Sequence, residues 1–308
     1  MVGRGEPTDA AWERIAALLP GVDGRGRPWR GRPWRDHRQV INGVLWRLRT
    51  GAPWRDLPER YGPWQTVYER FARWEADGTW ARLLQDVQVR DDSIGAVEWT
   101  VSVDSTINRA HQHAAGARKK GPATGDELED PARATAGQAL GRSRGGLTTT
   151  VHLACDGRGL PLAILVTPGN TNDSTAFDAV LDAVRVPRTG AGRPRRGSDA
   201  VIADKAYSSR AIRQCLRRRG IRAVIPERTD QKATRVRRGQ AGGRPPAFDR
   251  ELCKARSVVE RCFNRLKRFR AIATRFDKPA TRYRAGLHLA SPILWLREPA
   301  QDRLPDRT

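Results

Sequence analysis

A large surplus of positive charge most limits how this chain can fold. Its 308 residues include 57 lysines and arginines against 34 aspartates and glutamates, so the formal net charge is +23. Self-repulsion of this size opposes a compact state unless a polyanion neutralises it. Nucleic acid is therefore the first candidate partner, and a membrane surface is the second. The length suffices for one large or two ordinary domains.

Several other classes of protein find no support in the sequence. No stretch approaches the ~20 consecutive apolar residues of a spanning helix, and residues 1–7 lack the apolar core of a signal peptide. We therefore expect a cytoplasmic protein with no membrane partner. Cys155, Cys215, Cys253 and Cys262 lie too far apart for a paired zinc site and are expected to be reduced thiols. His111 and His113 offer a metal corner without a third ligand nearby.

The first 92 residues have the spacing of short amphipathic helices. Thr8 is placed to cap a helix, and a second helix is predicted from about residue 36 to 50, with Gly51 as its stop. Apolar residues near 67–74 and 83–87 predict two more helices. Residues 1–92 thus favour a helical, helix-turn-helix-like DNA-binding domain, with a helical cap lacking a nucleic-acid role as the alternative. The Gly/Arg/Pro linker at 24–33 is expected on phosphate or in solvent.

Residues 93–298 have the pattern of an α/β domain. Trp99, Val101 and Val103 alternate with polar residues, as in a strand, and two β-rich runs at 147–155 and 160–167 predict a hairpin. Further strands are predicted at 201–203 and 221–225. Helices are predicted at 173–184, 208–219, 250–269 and 282–296, and Pro292 is expected to kink or end the last one. Mobile loops are expected at about 114–146, 186–199 and 228–248, and a tail at 299–308. This order predicts a mixed sheet flanked by helices, compatible with a ribonuclease-H-like layout.

Three carboxylates occupy positions suited to holding metal against phosphate. Asp104 and Asp204 each follow an apolar run and are expected at the ends of neighbouring strands, where open α/β sheets place ligands. Glu260 lies in a polar helical stripe with Arg256, Asn264 and Lys267. Carboxylates suit hard Mg²⁺, and phosphodiester cleavage without a protein nucleophile uses two cations roughly 4 Å apart. Taken singly, Glu260 could pair with a neighbour on a solvated face, and each aspartate could cap a turn.

Five segments occur together in a recognisable order. They are Leu48-Arg-Thr-Gly-Ala-Pro-Trp-Arg-Asp-Leu-Pro-Glu-Arg-Tyr-Gly-Pro-Trp64, Val103-Asp-Ser-Thr106, Pro168-Gly-Asn-Thr-Asn-Asp-Ser174, Val201-Ile-Ala-Asp-Lys-Ala-Tyr207 and Val259-Glu-Arg-Cys-Phe-Asn-Arg-Leu-Lys-Arg-Phe-Arg270. Together they resemble the bacterial insertion-sequence transposases of the DDE type, in the insertion-sequence-five group. The resemblance covers about residues 8 to 297. Cys253 stands where that group has a tyrosine, and Asn172 where relatives often have histidine.

The resemblance implies a chemistry and a set of residues. Asp104, Asp204 and Glu260 would be the catalytic acids that hold two Mg²⁺ ions, with Mn²⁺ as a substitute. The protein would bind the terminal inverted repeats of an element, free a 3′ hydroxyl by hydrolysis and join it to target DNA. A homodimer or larger assembly on DNA, in the bacterial nucleoid, is also implied. Phosphate-binding roles are expected for Lys205, Arg256, Arg261, Arg265, Lys267 and Arg268, each with a solvated basic face as the alternative.

Two other functions remain open at the level of sequence. A regulator derived from a transposase would bind DNA without cutting it, although all three acids stand intact. A host nuclease of the ribonuclease-H-like class would cut without joining. Metal-dependent nicking and a strand-transfer product would separate these alternatives.

Overall fold

The computed structural model of the protein describes residues 5–20, 36–115, 138–143 and 146–297. The chain divides into two compact units. The first unit comprises Met1–Asp91, Asn108–Gln138 and Arg265–Thr308, and the second comprises Asp92–Ile107 and Ala139–Asn264. Packing therefore groups the last helices with the N-terminal ones, whereas the sequence-based division into residues 1–92 and 93–298 stays a prediction. The linker at 24–33, most of the expected loop at 114–146 and the tail at 299–308 lie outside the described residues.

The described elements alternate between helices and strands after an all-helical start. The helices are α1 (Asp9–Ala16), α2 (His37–Thr50), α3 (Trp64–Ala76), α4 (Thr79–Ser93), α5 (Gln112–Ala115), α6 (Phe177–Ala183), α7 (Arg210–Arg218), α8 (Thr229–Arg237), α9 (Arg250–Cys253), α10 (Ser257–Lys267), α11 (Arg270–Ala273) and α12 (Ala280–Arg297). The strands are β1 (Thr100–Ala110), β2 (Gly141–Ser143), β3 (Gly146–Cys155), β4 (Pro161–Pro168), β5 (Ala200–Ala203), β6 (Arg222–Val224) and β7 (Thr274–Arg275).

The N-terminal helices begin and end where local chemistry requires it. The Thr8 hydroxyl accepts a hydrogen bond from the Ala11 N–H at 3.2 Å, and the Asp36 carboxylate accepts one from the Arg38 N–H at 2.9 Å. Both bonds satisfy backbone donors that a first helical turn leaves free. Gly51 ends α2 at a φ of +72°, a conformation that glycine adopts without strain. The predicted cap at Thr8, the predicted stop at Gly51 and the four predicted helices of this region are confirmed.

Aromatic side chains fill the core between α3 and α4. Trp74 and Trp80 are almost completely buried, and their rings meet edge to face with centroids 5.0 Å apart. The Trp80 indole N–H donates to the backbone oxygen of Phe71 at 3.0 Å, so this large side chain is buried with its polar group satisfied. The aromatic packing of the helical region follows directly from its many tryptophans.

The second unit is organised around a mixed sheet. Neighbouring strands follow the order β2-β3-β1-β5-β6, and β4 pairs with β3. β3 and β4 form the predicted antiparallel hairpin, while β1, β5 and β6 run parallel to one another. Helices accompany these strands, so the sheet has the predicted ribonuclease-H-like, mixed layout. β5 is completely buried, as expected for a central parallel strand.

Some predicted boundaries were wrong. The stretch at 228–248 is not a loop throughout, because it contains α8 and a 3₁₀ turn at Gly239–Gly242. The expected loop at 114–146 includes the short strand β2, which pairs with β3. The predicted helix at 250–269 contains a 3₁₀ turn at Lys254–Arg256 and ends at Lys267. Pro292 does not end the last helix, since burial of the residues around it keeps α12 helical to Arg297.

The described helices were also compared with the dimensions of a bilayer. None of them combines the length and the apolar character that crossing a membrane requires.

Candidate metal and phosphate site

Parallel pairing of β1 with β5 places two aspartates side by side. The register joins Val103 to Ala203, and the next residue on each strand is Asp104 or Asp204. Because parallel strands in register present successive residues at the same level, the two carboxylates lie at one position of the sheet. The expectation that Asp104 ends its strand was wrong. β1 continues to Ala110 and pairs there with β7, so Asp104 lies where pairing with β5 stops.

The third acid comes from α10 and reaches the other two through an arginine. One guanidinium nitrogen of Arg256 lies 3.9 Å from an oxygen of Asp104 and 3.9 Å from an oxygen of Asp204. Another nitrogen of the same group lies 2.9 Å from Glu260. The three carboxylates are separated by up to 156 residues in the sequence. They nevertheless lie around a single cationic group.

The local helix geometry explains this arrangement. Arg256 closes the 3₁₀ turn that precedes α10, and Glu260 follows four residues later, on the same helical face. Val259, Phe263 and Leu266, on the face beside this one, are buried. The predicted division of α10 into a polar stripe and a core face is confirmed.

Burial and charge act against each other at Asp104. Its side chain is 22% exposed, compared with 39% for Asp204 and 50% for Glu260. Burial raises the pKa of Asp104, and the hydrogen bond from the Ser105 N–H and the charge of Arg256 oppose that rise. The charges of Asp204 and Asp173 raise the pKa further. A cation beside Asp104 therefore favours its ionised form.

Two residues near the acids were not assigned a role from the sequence. Asp173 begins a 3₁₀ turn that packs against the turn Lys205–Tyr207, and its charge acts on Asp104. Burial, then Asp173 and Asp104, raise the pKa of the Tyr207 phenol, which is almost fully buried. Both residues belong to segments that carried the family resemblance. Their position in those segments was the sequence feature from which a place near the acids could have been predicted.

The six predicted phosphate-binding residues divide between the two units. Lys205, Arg256 and Arg261 belong to the unit that holds the acids, whereas Arg265, Lys267 and Arg268 belong to the other. Lys205 and Arg261 are exposed, and the Arg261 guanidinium donates to the Ser257 hydroxyl at 2.8 Å. Partial burial lowers the pKa of Lys267. Phosphate binding by all six stays a prediction.

Cys253, His111 and His113 have contacts that do not involve the three acids. Cys253, at the family's tyrosine position, is partly buried and packs on the core cluster Ala200, Ile202 and Val224. None of the four cysteines, all of which lie in the described part of the chain, forms a disulfide. The rings of His111 and His113 lie 4.4 Å apart, and His111 also contacts Phe276.

The acids suit a metal in chemistry but enclose a guanidinium in this conformation. In the described part of the chain, no three His, Cys, Asp or Glu side chains lie close enough together to hold a metal ion. Carboxylate oxygens are nevertheless the ligands that Mg²⁺ and Mn²⁺ prefer. Asp104, Asp204 and Glu260 all lie around one cation, so the chemistry of this donor set, although not its present spacing, fits a divalent metal.

Two family descriptions match this chain. "Putative transposase of IS4/5 family" matches residues 8–84, and "Transposase DDE domain" matches residues 95–290. The second match covers more than half of the sequence. The chain belongs to the DDE transposase family. Nuclease or transposase activity, with DNA as the substrate, is therefore the class of reaction.

Individual relatives agree with this membership. The chain is 33% identical over 152 residues to "Putative transposase for insertion sequence element IS6501" of Brucella ovis, covering 49% of this chain and all of that protein. It is 35% identical over 143 residues to "Putative transposase for insertion sequence element IS402" of Burkholderia cepacia, covering 46% of this chain and 60% of that protein.

Solved structures resemble the chain only distantly. "Crystal structure of a pre-cleavage Mos1 transpososome" aligns with a TM-score of 0.25 and 14% identity, covering 87% of this chain and 79% of that one. "Mos1 transposase paired-end complex with left transposon end" aligns with a TM-score of 0.24 and 15% identity, covering 94% of this chain and 86% of that one.

Proposed function

We propose that this protein is a metal-dependent transposase that cuts DNA at the ends of its element and joins the freed 3′ hydroxyl to target DNA. The observation that carries the proposal is the convergence of Asp104, Asp204 and Glu260 on one guanidinium. Three carboxylates around a cation are suited to exchange that cation for divalent metal. The family membership supplies the DNA substrate.

Asp104, Asp204 and Glu260 would hold the metal, with Mg²⁺ as the preferred ion and Mn²⁺ as a substitute. Hard carboxylate donors favour these ions. Two such cations, when bound, would activate the attacking water or hydroxyl and stabilise the departing oxygen. The same residues would serve hydrolysis and strand transfer, because only the attacking oxygen differs between the two steps.

Arg256 would exchange partners during this reaction. Without metal its guanidinium offsets the repulsion among the three acids. With metal bound at the acids, the Arg256 guanidinium would be free to bind a DNA phosphate, for which its planar set of donors is well suited. Lys205 and Arg261 would add phosphate contacts from exposed positions of the same unit.

The assembly and the cellular location belong to the proposal as well. Transposition requires two element ends to be held together, so we expect a homodimer or larger complex on DNA. The location would be the bacterial cytoplasm, at the nucleoid.

The test is a cleavage and strand-transfer assay with the full chain. The substrate is a labelled duplex that carries the inverted repeats flanking the gene, mixed with plasmid target DNA and Mg²⁺, Mn²⁺ or a chelator. Nicked ends and joined products that require metal are expected. Binding without any cleavage would favour a regulator, and cleavage without joining would favour a nuclease.

A further inference from the structure

Five arginines line one pocket in the first unit. They are Arg49, Arg265, Arg268, Arg270 and Arg297, and the pocket has a volume of about 990 Å³. Thr50 adds a hydroxyl, and Phe269 and Leu294 are its apolar residues. None of the described residues that line it is acidic. The concentration of charge here far exceeds what a typical apolar small-molecule site contains.

The ends of three helices bring these arginines together. Arg49 lies in the last turn of α2, Arg265 in the last turn of α10 and Arg297 in the last turn of α12. The C-terminal end of a helix carries partial negative charge, which stabilises nearby cations. The fold can therefore hold like charges close together without a carboxylate among them.

The arginines remain strongly cationic but affect one another. Partial burial, followed by the charge of Arg268, lowers the pKa of Arg297. Arg268, Arg270 and Arg297 are exposed, so an extended anion can reach them from solvent. Other arginines of the same unit have acidic partners, such as Arg47 with Asp277 and Arg282 with Glu75. The pocket differs from those pairs because the described residues that line it include no acid.

We propose that this five-arginine pocket is a binding site for the phosphate backbone of DNA, additional to the acid site. Several guanidinium groups around an open pocket suit consecutive phosphates of a strand, since each group can donate two hydrogen bonds to one phosphate. The site reads backbone and carries no base specificity. The inference rests on the proposed function for its choice of DNA as the polyanion.

The experiment compares two triple variants of the full chain that lose the same charge. Arg49→Gln/Arg270→Gln/Arg297→Gln changes the pocket. Arg218→Gln/Arg237→Gln/Arg250→Gln changes three exposed arginines of the second unit that lie outside the pocket. Affinity for a 30-base-pair duplex is measured in chelator across a series of salt concentrations.

Each phosphate contact contributes about 0.9 to the slope of log affinity against log salt. We expect the pocket variant to lose about 2 to 3 in that slope and at least about tenfold in affinity, while the control keeps most of the wild-type slope. Equal slopes for the two variants would overturn the proposal. A pocket variant that is less stable to heat but binds with the wild-type slope would also overturn it, because the arginines would then serve only the helix ends.

A second measurement needs no substitution. Arginine side chains of the wild-type protein are modified with phenylglyoxal with and without duplex DNA, and modification is located by mass spectrometry. Protection of Arg270 and Arg297 by DNA supports the site, and unchanged modification of both contradicts it.

These experiments distinguish failure of the proposed catalytic function from failure of the proposed DNA-binding pocket. If no metal-dependent cleavage occurs but the slope difference persists, the pocket stands and the catalytic proposal falls. If cleavage occurs and the slopes match, the pocket falls alone.

Discussion

Arginine is used in opposite ways in the two units of this protein. In the second unit, Arg256 lies among three carboxylates and offsets their mutual repulsion. In the first, five arginines line a pocket without a described acid. Under the two proposals made above, the cation surrounded by acids would have to be displaced before metal binds, whereas the arginine pocket would need only the addition of an anion. Removal of charge should therefore have different consequences at the two places.

The largest expected effect concerns the acids around Arg256. Asp104→Asn, Asp204→Asn and Glu260→Gln should each reduce strand cleavage by at least about 1,000-fold, because loss of a metal ligand removes several kcal/mol of transition-state stabilisation. DNA binding should remain. The measurement is single-turnover cleavage in Mg²⁺.

Glu251→Gln is the matched control, since Glu251 is exposed and pairs with Lys254. It should cleave normally. Near wild-type cleavage by any one of the three acid variants would remove that residue from the site.

The second prediction tests how strongly the stability of the protein depends on the acidic partner of a buried arginine. Arg47 and Asp277 are both largely buried and joined by two hydrogen bonds of 2.9 Å. Asp277→Ala should lower the free energy of unfolding by about 3 to 5 kcal/mol, because it leaves a buried charge without its partner. Denaturant unfolding provides the measurement.

Asp9→Ala is the control, since Asp9 pairs with Arg38 at an exposed position. Its cost should stay below about 1 kcal/mol. Equal costs for the two variants would contradict the role assigned to burial.

A completely buried carboxyl extends the comparison to the hairpin turn of the second unit. Asp156 is completely buried, and burial raises its pKa to about 7. One of its oxygens accepts hydrogen bonds from the N–H groups of Arg158 and Leu160. Since the folded pKa exceeds the unfolded one, the stabilising contribution is complete below about pH 4 and is lost as pH rises through 7.

Asp156→Asn keeps an acceptor oxygen and removes the titration. At pH 8 the variant should be more stable than the wild type by up to about 4 kcal/mol, at about 1.4 kcal/mol per pKa unit. Its stability should also vary less between pH 4 and 8. Thermal unfolding over that range is the measurement, and an undiminished pH dependence would contradict the assignment.

If metal and the Arg256 side chain compete for the three acids, removal of the guanidinium should change metal affinity and DNA cleavage in opposite directions. Both changes should be smaller than those expected for the acid variants. Arg256→Gln should bind Mn²⁺ more tightly in the absence of DNA, by up to about tenfold or 1.4 kcal/mol, because a competing cation is gone. It should also cleave DNA more slowly. Arg261→Gln removes a neighbouring charge that contacts Ser257 and should leave metal affinity unchanged. Calorimetric titration with Mn²⁺ is the measurement. An unchanged Mn²⁺ affinity in Arg256→Gln would show that the guanidinium does not compete with metal for the acids.

The smallest expected effect concerns Asp173. Its charge raises the pKa of Asp104, so Asp173→Asn should shift the acid limb of the cleavage profile to lower pH. The shift should be under about one pH unit, because the two groups interact alongside solvent. A profile with an unmoved acid limb would show that Asp173 does not act on the site.

Local features were predictable because their causes are local. The caps at Thr8 and Asp36, the stop at Gly51 and the hairpin at Asp156 depend on residues within a few positions of one another. The 3₁₀ turn before α10 and the short strand β7 were not predicted. They depend on packing against segments far away along the chain, which no periodicity records.

The sequence by itself predicted the polyanion partner, the mixed sheet, the family and the three acids, because charge, apolar periodicity and ordered motifs are properties of the linear chain. Only the tertiary structure decided that Arg256 stands among those acids and that Arg265 and Arg268 join Arg49, Arg270 and Arg297 in another unit. The physical reason is that electrostatic partners are set by distance in space. Segments that are remote in sequence reach that distance only when strand register and helix packing bring them together.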